Sequence, residues 1–176
     1  MLCLTFYANI HIFTARRIKN REHTQPHPCG RQEAAVKVWK LLCKLTVLFL
    51  IGGSAYYAIE LWWRGYSHCS MFLLGGLCFV FVGLINQVLP RNLGLLWQSL
   101  IGAAFISAAE FVTGLIVNVW LGLHIWDYST LPFNILGQIS LPFFFVWIAL
   151  SCIAILLDDW IRYRFFGEKP PKYKIL

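Results

Sequence analysis

Four apolar stretches, each long enough to cross a bilayer, dominate this sequence and leave few folds open to it. They run over about 45–63, 69–89, 94–118 and 137–157, with short polar segments between them. About 20 apolar residues span the hydrocarbon core of a bilayer as a helix. Backbone groups in lipid must find partners within their own segment, so each stretch is expected to be helical. The sequence therefore predicts an all-α polytopic membrane protein whose four transmembrane helices form a bundle.

The composition supports this class. Hydrophobic residues make up 59% of the 176 residues and charged residues only 13%, whereas globular domains hold about 25% charged residues. The stretches also lack the polar–apolar alternation that strands of a membrane barrel require. Glycines recur within them, at Gly52, Gly53, Gly75, Gly76, Gly83, Gly102 and Gly114. Small residues let helices approach closely, so we interpret these glycines as packing positions in a helical bundle.

Lysine and arginine are concentrated at the two ends of the chain. Of the 15 in total, eight precede the first apolar stretch and five follow the fourth. Because positive residues favour the cytoplasm, both termini are predicted to lie inside and the loops around Tyr66 and Asp127 outside. The partner that this pattern implies is the lipid bilayer. We interpret the net charge of +7 as a topology signal and predict no nucleic-acid partner.

The chain is predicted to have three regions. Residues 1–35 form a flexible or interfacial cytoplasmic segment, or reflect an incorrectly chosen translation start. Residues 36–162 form the transmembrane domain, and residues 163–176 form a basic cytoplasmic tail. The first region contains three residue types that bind metals in other proteins: His23, His27 and Cys29. They lack a second cysteine pair and the spacing of a zinc site, so we predict no metal and no cofactor.

Glu110 is the only charged residue between Asn92 and Trp126. A carboxylate in an apolar span is costly unless it has a partner, water or a proton, and such groups commonly serve a function. With a rise of about 1.5 Å per residue, Glu110 and Glu60 both lie about 24 Å above the inner boundary of the membrane. Two interpretations stay open for Glu110. It lies on a ligand, ion or proton pathway, or it forms a hydrogen bond that joins two helices.

Other polar and aromatic residues are predicted to reach the same level. Arg64 follows Glu60 by four residues, in the order that favours an ion pair, and Asn118 lies near the helix face of Glu110. The outer loop and the start of the fourth stretch add these candidates: Trp126, Asp127, Tyr128, Asn134 and Gln138. Together these residues predict a polar layer that either binds a ligand or joins the helices through hydrogen bonds. Trp126 and Tyr128 also suit a simpler role, which is anchoring the loop at the membrane interface.

Pro142 leaves the start of the fourth helix open. If that helix starts near Asn134 or Gly137, Pro142 lies inside it and removes a backbone hydrogen bond, which leaves a kink. If it starts at Leu141, Pro142 lies in the first turn, where its missing N–H has no consequence. Both interpretations fit the sequence.

The inner end of the fourth stretch carries a small group of charges. Asp158 and Asp159 are followed by Arg162, which is within reach of both along the helix. Pairs at this spacing are common on solvated helix surfaces. We therefore expect Asp158 and Asp159 to form a solvated cap.

An ordered series of short motifs resembles a known family. The first motifs are Tyr57-x-x-Glu60-x-x-Trp63-Arg64-Gly65, Ser67-His68-x-Ser70-Met71 and Gly75-Gly76. The later ones are Glu110-Phe111-x-Thr113-Gly114-x-x-x-Asn118, Trp126-Asp127-Tyr128-Ser129 and Asn134-x-x-Gly137-Gln138. Over residues 56–166 the series is similar to the type IV ABC-transporter permease family of small bacterial membrane proteins. The resemblance implies a permease-like subunit of an importer or exporter in the bacterial plasma membrane.

This resemblance also implies partners. The chain has no G-x-x-x-x-G-K-[ST] loop, so a permease of this kind would need a separate ATPase subunit. Four helices are few for a pore, so a homo-oligomer is the second expected partner.

Two other function classes stay open. One is a small membrane enzyme that acts on a lipid or isoprenoid and uses its paired acids for proton transfer. The chain has neither a Ser–His–Asp set nor an H-E-x-x-H motif, so no reaction can be named and the enzyme class is the less favoured one. The other is a structural or signalling membrane protein in which Glu110 only joins helices.

Overall fold

Helices make up most of the fold. The computed structural model describes residues 29–89, 93–168 and 173. In these residues the α-helices are α1 (Cys29–Arg64), α2 (Cys69–Val88), α3 (Leu95–Gly114) and α4 (Leu141–Phe166). A π-helical turn, Leu115–Trp120, extends α3, and two short strands, β1 (Asn134–Ile135) and β2 (Ile139–Ser140), pair in antiparallel orientation before α4. The structure divides into two units after Lys40, and the packing below lies within the second, which begins at Leu41.

Two helical segments are long and apolar enough to cross a bilayer, among the residues that the structure describes. They are Leu95–Trp120, which joins α3 to the π-helical turn, and Leu141–Phe166, which is α4. The apolar part of α2 is shorter, at Cys69–Ile85. The predicted membrane class therefore agrees with the structure. The four-span topology and the cytoplasmic position of both termini stay predictions.

The helices extend further than the apolar stretches. α1 begins at Cys29, because the residues ahead of position 45 are mostly good helix formers such as Ala, Lys and Leu. Residues 29–35 thus belong to α1, and residues 1–28 of the predicted N-terminal segment, with His23 and His27, lie outside the described part of the chain. α4 ends at Phe166 and is capped by Gly167, whose φ of 67° is a left-handed conformation that glycine adopts without strain.

α4 begins at Leu141 and has Pro142 in its first turn. This matches the second of the two interpretations for Pro142. The first turn of a helix has no intrahelical acceptor for its N–H groups, so the missing proline N–H removes no hydrogen bond there. Asn134 and Gln138 precede the helix and belong to the loop that leads into it.

α1 and α2 pack with their backbones in close approach at glycines. A Cβ atom added at Gly53 would lie 2.6 Å from the backbone oxygen of Phe72, and one added at Gly75 would lie 2.5 Å from the Cβ of Tyr56. The interpretation of these glycines as packing positions fits this geometry. Beside them, Met71, Leu74 and Cys78 of α2 belong to a buried apolar cluster that also includes Val117, Ile125 and Trp126.

The expected solvated cap at the end of α4 is wrong, because its charges are buried. Asp158 is fully buried and pairs with Arg162, which is only 2% exposed. Asp159 is buried too and accepts a hydrogen bond from the Tyr173 hydroxyl at 2.8 Å. Burial follows from packing against α2, since the Asp158 carboxyl group lies directly against Gly83. Local spacing along one helix cannot reveal that contact.

We predict that Gly53→Ala destabilises the fold. The added methyl group meets a backbone oxygen that cannot rotate away, and overpacking of this kind costs about 1–3 kcal/mol. Alanine recovers about 1 kcal/mol through its higher helix propensity, so the midpoint of thermal unfolding in detergent should still fall by several degrees. Ser54→Thr is the matched control, because it adds one methyl group at the neighbouring exposed position. Equal midpoints for the two variants would contradict the close approach.

Candidate functional site

Glu110 lies in the interior of the second unit, on α3, and is only 1% exposed. Both of its carboxylate oxygens accept a hydrogen bond. The Tyr128 hydroxyl donates to Oε1 at 2.9 Å, and the Trp147 indole N–H donates to Oε2 at 2.8 Å. Hydrogen bonds to an ionised acceptor are about twice as strong as neutral ones. Glu110 therefore joins three parts of the chain: α3, the loop after it and α4.

The two donors are held in place by neighbouring backbone and rings. Tyr128 donates its backbone N–H to the oxygen of Gly137 at 2.7 Å, and its ring stacks on Phe143 with 4.4 Å between centroids. Burial and the nearby Glu110 carboxylate both raise the pKa of the Tyr128 hydroxyl above its ordinary value. The hydroxyl therefore keeps its proton and stays a donor. Trp147 lies on the buried face of α4, one turn after Phe143.

Hydrogen bonds from Asn118 hold the loop of residues 121–140 against the end of α3. Its Nδ2 donates to the backbone oxygen of Trp126 at 3.0 Å and to Oε1 of Gln138 at 2.8 Å. Its Oδ1 accepts from the backbone N–H of Ile125 at 2.7 Å. The Trp126 indole N–H completes the set by donating to the Gln138 backbone oxygen at 3.0 Å. Asn118, Trp126 and Gln138 thus form one buried network.

The π-helical turn and a glycine make room for this network. Asn118 lies within the turn, whose wider hydrogen bonding is seen where the Leu121 N–H donates to the Ile116 oxygen at 2.9 Å. The Gln138 side chain packs directly on Gly114, where an added Cβ would lie 2.4 Å from its Oε1. Any larger residue at position 114 would displace the Gln138 amide.

Glu60 and Arg64 form the predicted ion pair at the end of α1. The pair also contacts the loop of residues 121–140, because Nη1 of Arg64 donates a hydrogen bond to the backbone oxygen of Ile125 at 3.1 Å. Ser67 adds a hydrogen bond to the second Glu60 oxygen at 2.6 Å. Glu60 is 7% exposed, so the pair is largely removed from solvent. Glu60 lies at the same end of the bundle as Glu110, and each contacts the loop through a different partner.

Asp127 and Asn134 do not join the Glu110 cluster. Asp127 is exposed, and its carboxylate accepts from the N–H and the hydroxyl of Ser129 at 2.8 and 3.0 Å. Asn134 bonds to backbone oxygens at Ser129 and Leu131 at 3.1 and 2.8 Å. Both side chains stabilise turns within the loop. Their role in binding a ligand stays a prediction.

An apolar cavity of about 150 Å³ lies beside Glu110. Side chains from α1, α2, α3 and α4 line it, and most of them are aliphatic. Tyr56 of α1 and Trp147 of α4 contribute aromatic rings, 6.1 Å apart between centroids. Glu110 is the only carboxylate in the lining. The site thus combines one buried acid with an apolar chamber.

Three contributors to this arrangement were not predicted from the sequence: Trp147, Tyr56 and Ser67. One feature of the sequence points to the role of Trp147. The N–H of a buried tryptophan usually finds an acceptor, and Glu110 is the isolated acid of the neighbouring span. No such feature points to Tyr56, because its contacts depend on how α1 meets the other helices. The hydrogen bond of Ser67 to Glu60 depends on how the chain turns back just past the end of α1. No group of three or more metal-ligating side chains occurs among the residues described.

The helices and the buried acid define the class of this protein. Two apolar helices long enough to cross a bilayer, with a carboxylate held in the interior between them, are features of a helical membrane protein. Comparison with known families gives a more specific assignment. The family model described as "Putative ABC-transporter type IV" matches residues 47–175, and the chain belongs to this family. Neither the curated proteins nor the solved structures contain a significant match.

We predict that Asn118→Ala loosens the loop. The change leaves the Ile125 N–H, the Trp126 oxygen and Gln138 Oε1 without their partner, and buried groups left unpaired cost about 1–3 kcal/mol each. The thermal midpoint should fall, and limited proteolysis should cut the loop of residues 121–140 faster.

Asn134→Ala is the matched control for that experiment. Its hydrogen bonds lie in the partly exposed turn, where water can replace them, so a smaller effect is expected. If both alanine variants were cut at the same rate, Asn118 would not be the residue that fastens the loop.

Proposed function

We propose that this chain is a permease-like membrane subunit of a transporter, and that the Glu110 site lies on the path of the transported ligand. One observation carries the proposal: Glu110 is buried in an apolar span yet borders a cavity. A carboxylate is costly in such surroundings, and those that occur commonly mark a ligand, ion or proton pathway. A glutamate that only joins two helices by hydrogen bonds needs no adjoining cavity, whereas a ligand site does.

The hydrogen bonds of Glu110 are compatible with ligand binding. An ionised carboxylate has about four acceptor positions on its two oxygens. Tyr128 and Trp147 occupy one position on each oxygen. These two donors fix the orientation of the carboxylate and leave acceptor positions for a ligand.

The source of energy in this proposal is a second chain. This sequence has no phosphate-binding loop of the G-x-x-x-x-G-K-[ST] type. Family membership supports association with other transporter subunits. We therefore propose that an ATPase subunit binds the chain and that the assembly contains more than one copy of it.

We predict that Glu110→Gln strongly reduces ligand-dependent ATP hydrolysis but leaves assembly intact. Glutamine keeps the shape of the side chain, and the Tyr128 hydroxyl can turn to accept from the new amide, so the fold should survive. Tagged protein would be purified from its native membrane with its ATPase. ATP hydrolysis would then be measured in proteoliposomes, with and without a lipid-soluble extract of the host cells. Hydrogen bonds to charged groups contribute about 1.5–3 kcal/mol, so stimulation should fall at least about tenfold.

Glu168→Gln is the control for this measurement. It is the same substitution at the other end of the bundle, where Glu168 pairs with Lys44 and its side chain is 29% exposed. Stimulation should stay at the wild-type level. The transport role fails if the wild-type chain purifies as a lone monomer with no ATPase, or if Glu110→Gln is stimulated as strongly as wild type. Altered lipid extracts from Glu110→Gln cells, without any ATPase, would instead favour a lipid-modifying enzyme.

A further inference from the structure

The cavity beside Glu110 has an apolar rim. Ile59 of α1 and Ile153 and Leu157 of α4 line the cavity and are also exposed on the surface, at 47%, 59% and 37%. α4 is long and apolar enough to cross a bilayer, and α1 is predicted to cross it. Surface aliphatic residues on such helices face hydrocarbon rather than water. The cavity therefore opens sideways between these two helices. A ligand that enters here arrives from the bilayer and must itself be largely apolar.

The size of the cavity limits the part of the ligand that it holds. Its volume is about 150 Å³. Dry apolar cavities of about this volume are known to bind a benzene ring. One ring or a short alkyl chain thus fills the chamber, and a longer chain would extend through the rim into lipid.

The charge of the site is the more specific feature. Among the described residues, no lysine, arginine or histidine pairs with Glu110, and the nearby Arg64 already pairs with Glu60. Both donors to Glu110 are neutral groups. A buried carboxylate without a cationic partner is costly unless a cation or a proton neutralises it. A positive group on the ligand would supply that partner.

The aromatic rings of the lining favour the same kind of group. Tyr56 and Trp147 both face the cavity that Glu110 borders, with ring centroids 6.1 Å apart. An organic cation near the face of such rings is attracted by their quadrupole. A carboxylate flanked by a tyrosine and a tryptophan is thus suited to an alkylammonium group.

We propose that the site binds lipophilic amines: molecules with one protonated amino group, held by Glu110 beside the rings of Tyr56 and Trp147, and an apolar body that fills the cavity. This rests on the proposed function, because it names the ligand class of the same site. The positive group displaces no protein partner of Glu110, and the apolar body lies against the aliphatic lining of the cavity. Neutral or anionic molecules of the same shape would lack the interaction with the carboxylate.

Binding of three matched probes tests the ligand class. Octylamine, octanol and octanoate have the same chain and differ in the charge of the head group. Each would be titrated calorimetrically into purified protein in nanodiscs of zwitterionic phosphatidylcholine, with empty nanodiscs as the blank. We expect octylamine to bind at least about tenfold more tightly than octanol, and octanoate least. This charge series in wild type does not depend on the folding of any variant, and equal affinities would overturn the inference.

Two variants and a control place the binding at this cavity. Glu110→Gln should bring the octylamine-to-octanol ratio close to one. Ala154→Leu, which adds volume to the cavity lining seven residues along α4 from Trp147, should weaken both probes severalfold. Ala149→Leu adds the same volume to the exposed side of α4 and should change neither. An unchanged ratio in Glu110→Gln, or unchanged affinities in Ala154→Leu, would also overturn the inference.

The binding assay is independent of the transport assay. It uses no ATP and no second subunit, so a failure of one does not imply a failure of the other. A chain that prefers octylamine but has no ATPase partner would keep this ligand class and lose the transport role. A chain whose ATPase depends on Glu110 but which binds the three probes equally would keep the transport role and lose the ligand class.

Discussion

The two hydrogen bonds to the Glu110 carboxylate hold the interior of this protein together. In a medium of low polarity, a hydrogen bond to a charged group is strong, and the same group without partners is very unfavourable. Tyr128 comes from the loop and Trp147 from α4, so the carboxylate fixes both against α3. These two bonds act together with the hydrogen bonds of Asn118, which hold the same loop to the end of α3.

Features that depend on local sequence could be predicted. The apolar stretches identified the two long spans, because length and hydropathy are properties of a single segment. The Glu60–Arg64 pair followed from a spacing of four along one helix. The isolation of Glu110 in an apolar run marked it as a group that needs partners, and Tyr128, one of its two donors, was already among the predicted residues.

Features that depend on contacts between distant segments could not be predicted from the sequence. Trp147 is 37 residues from Glu110 along the chain, and its spacing from Glu110 carries no sign of the bond. Asp127 and Tyr128 are neighbours, yet one faces the surface and the other the interior, since the turn at Ser129 uses the first side chain. The prediction that Asp158 is solvated is wrong for a related reason. Its burial is imposed by Gly83, a residue of another helix with no side chain of its own.

If lipophilic amines enter as proposed, through the sideways opening at Ile59 and Ile153, their concentration in the bilayer rather than in water governs occupancy of the site. A molecule that enters from hydrocarbon is delivered at its local abundance in the bilayer, which for an amphiphile can exceed its abundance in the medium by orders of magnitude. A weak intrinsic affinity would then be enough to keep the chamber filled. Selection among molecules would depend as much on their partition coefficients as on the fit to Tyr56 and Trp147. The surrounding lipid would thus act as a first filter, ahead of any residue of the protein.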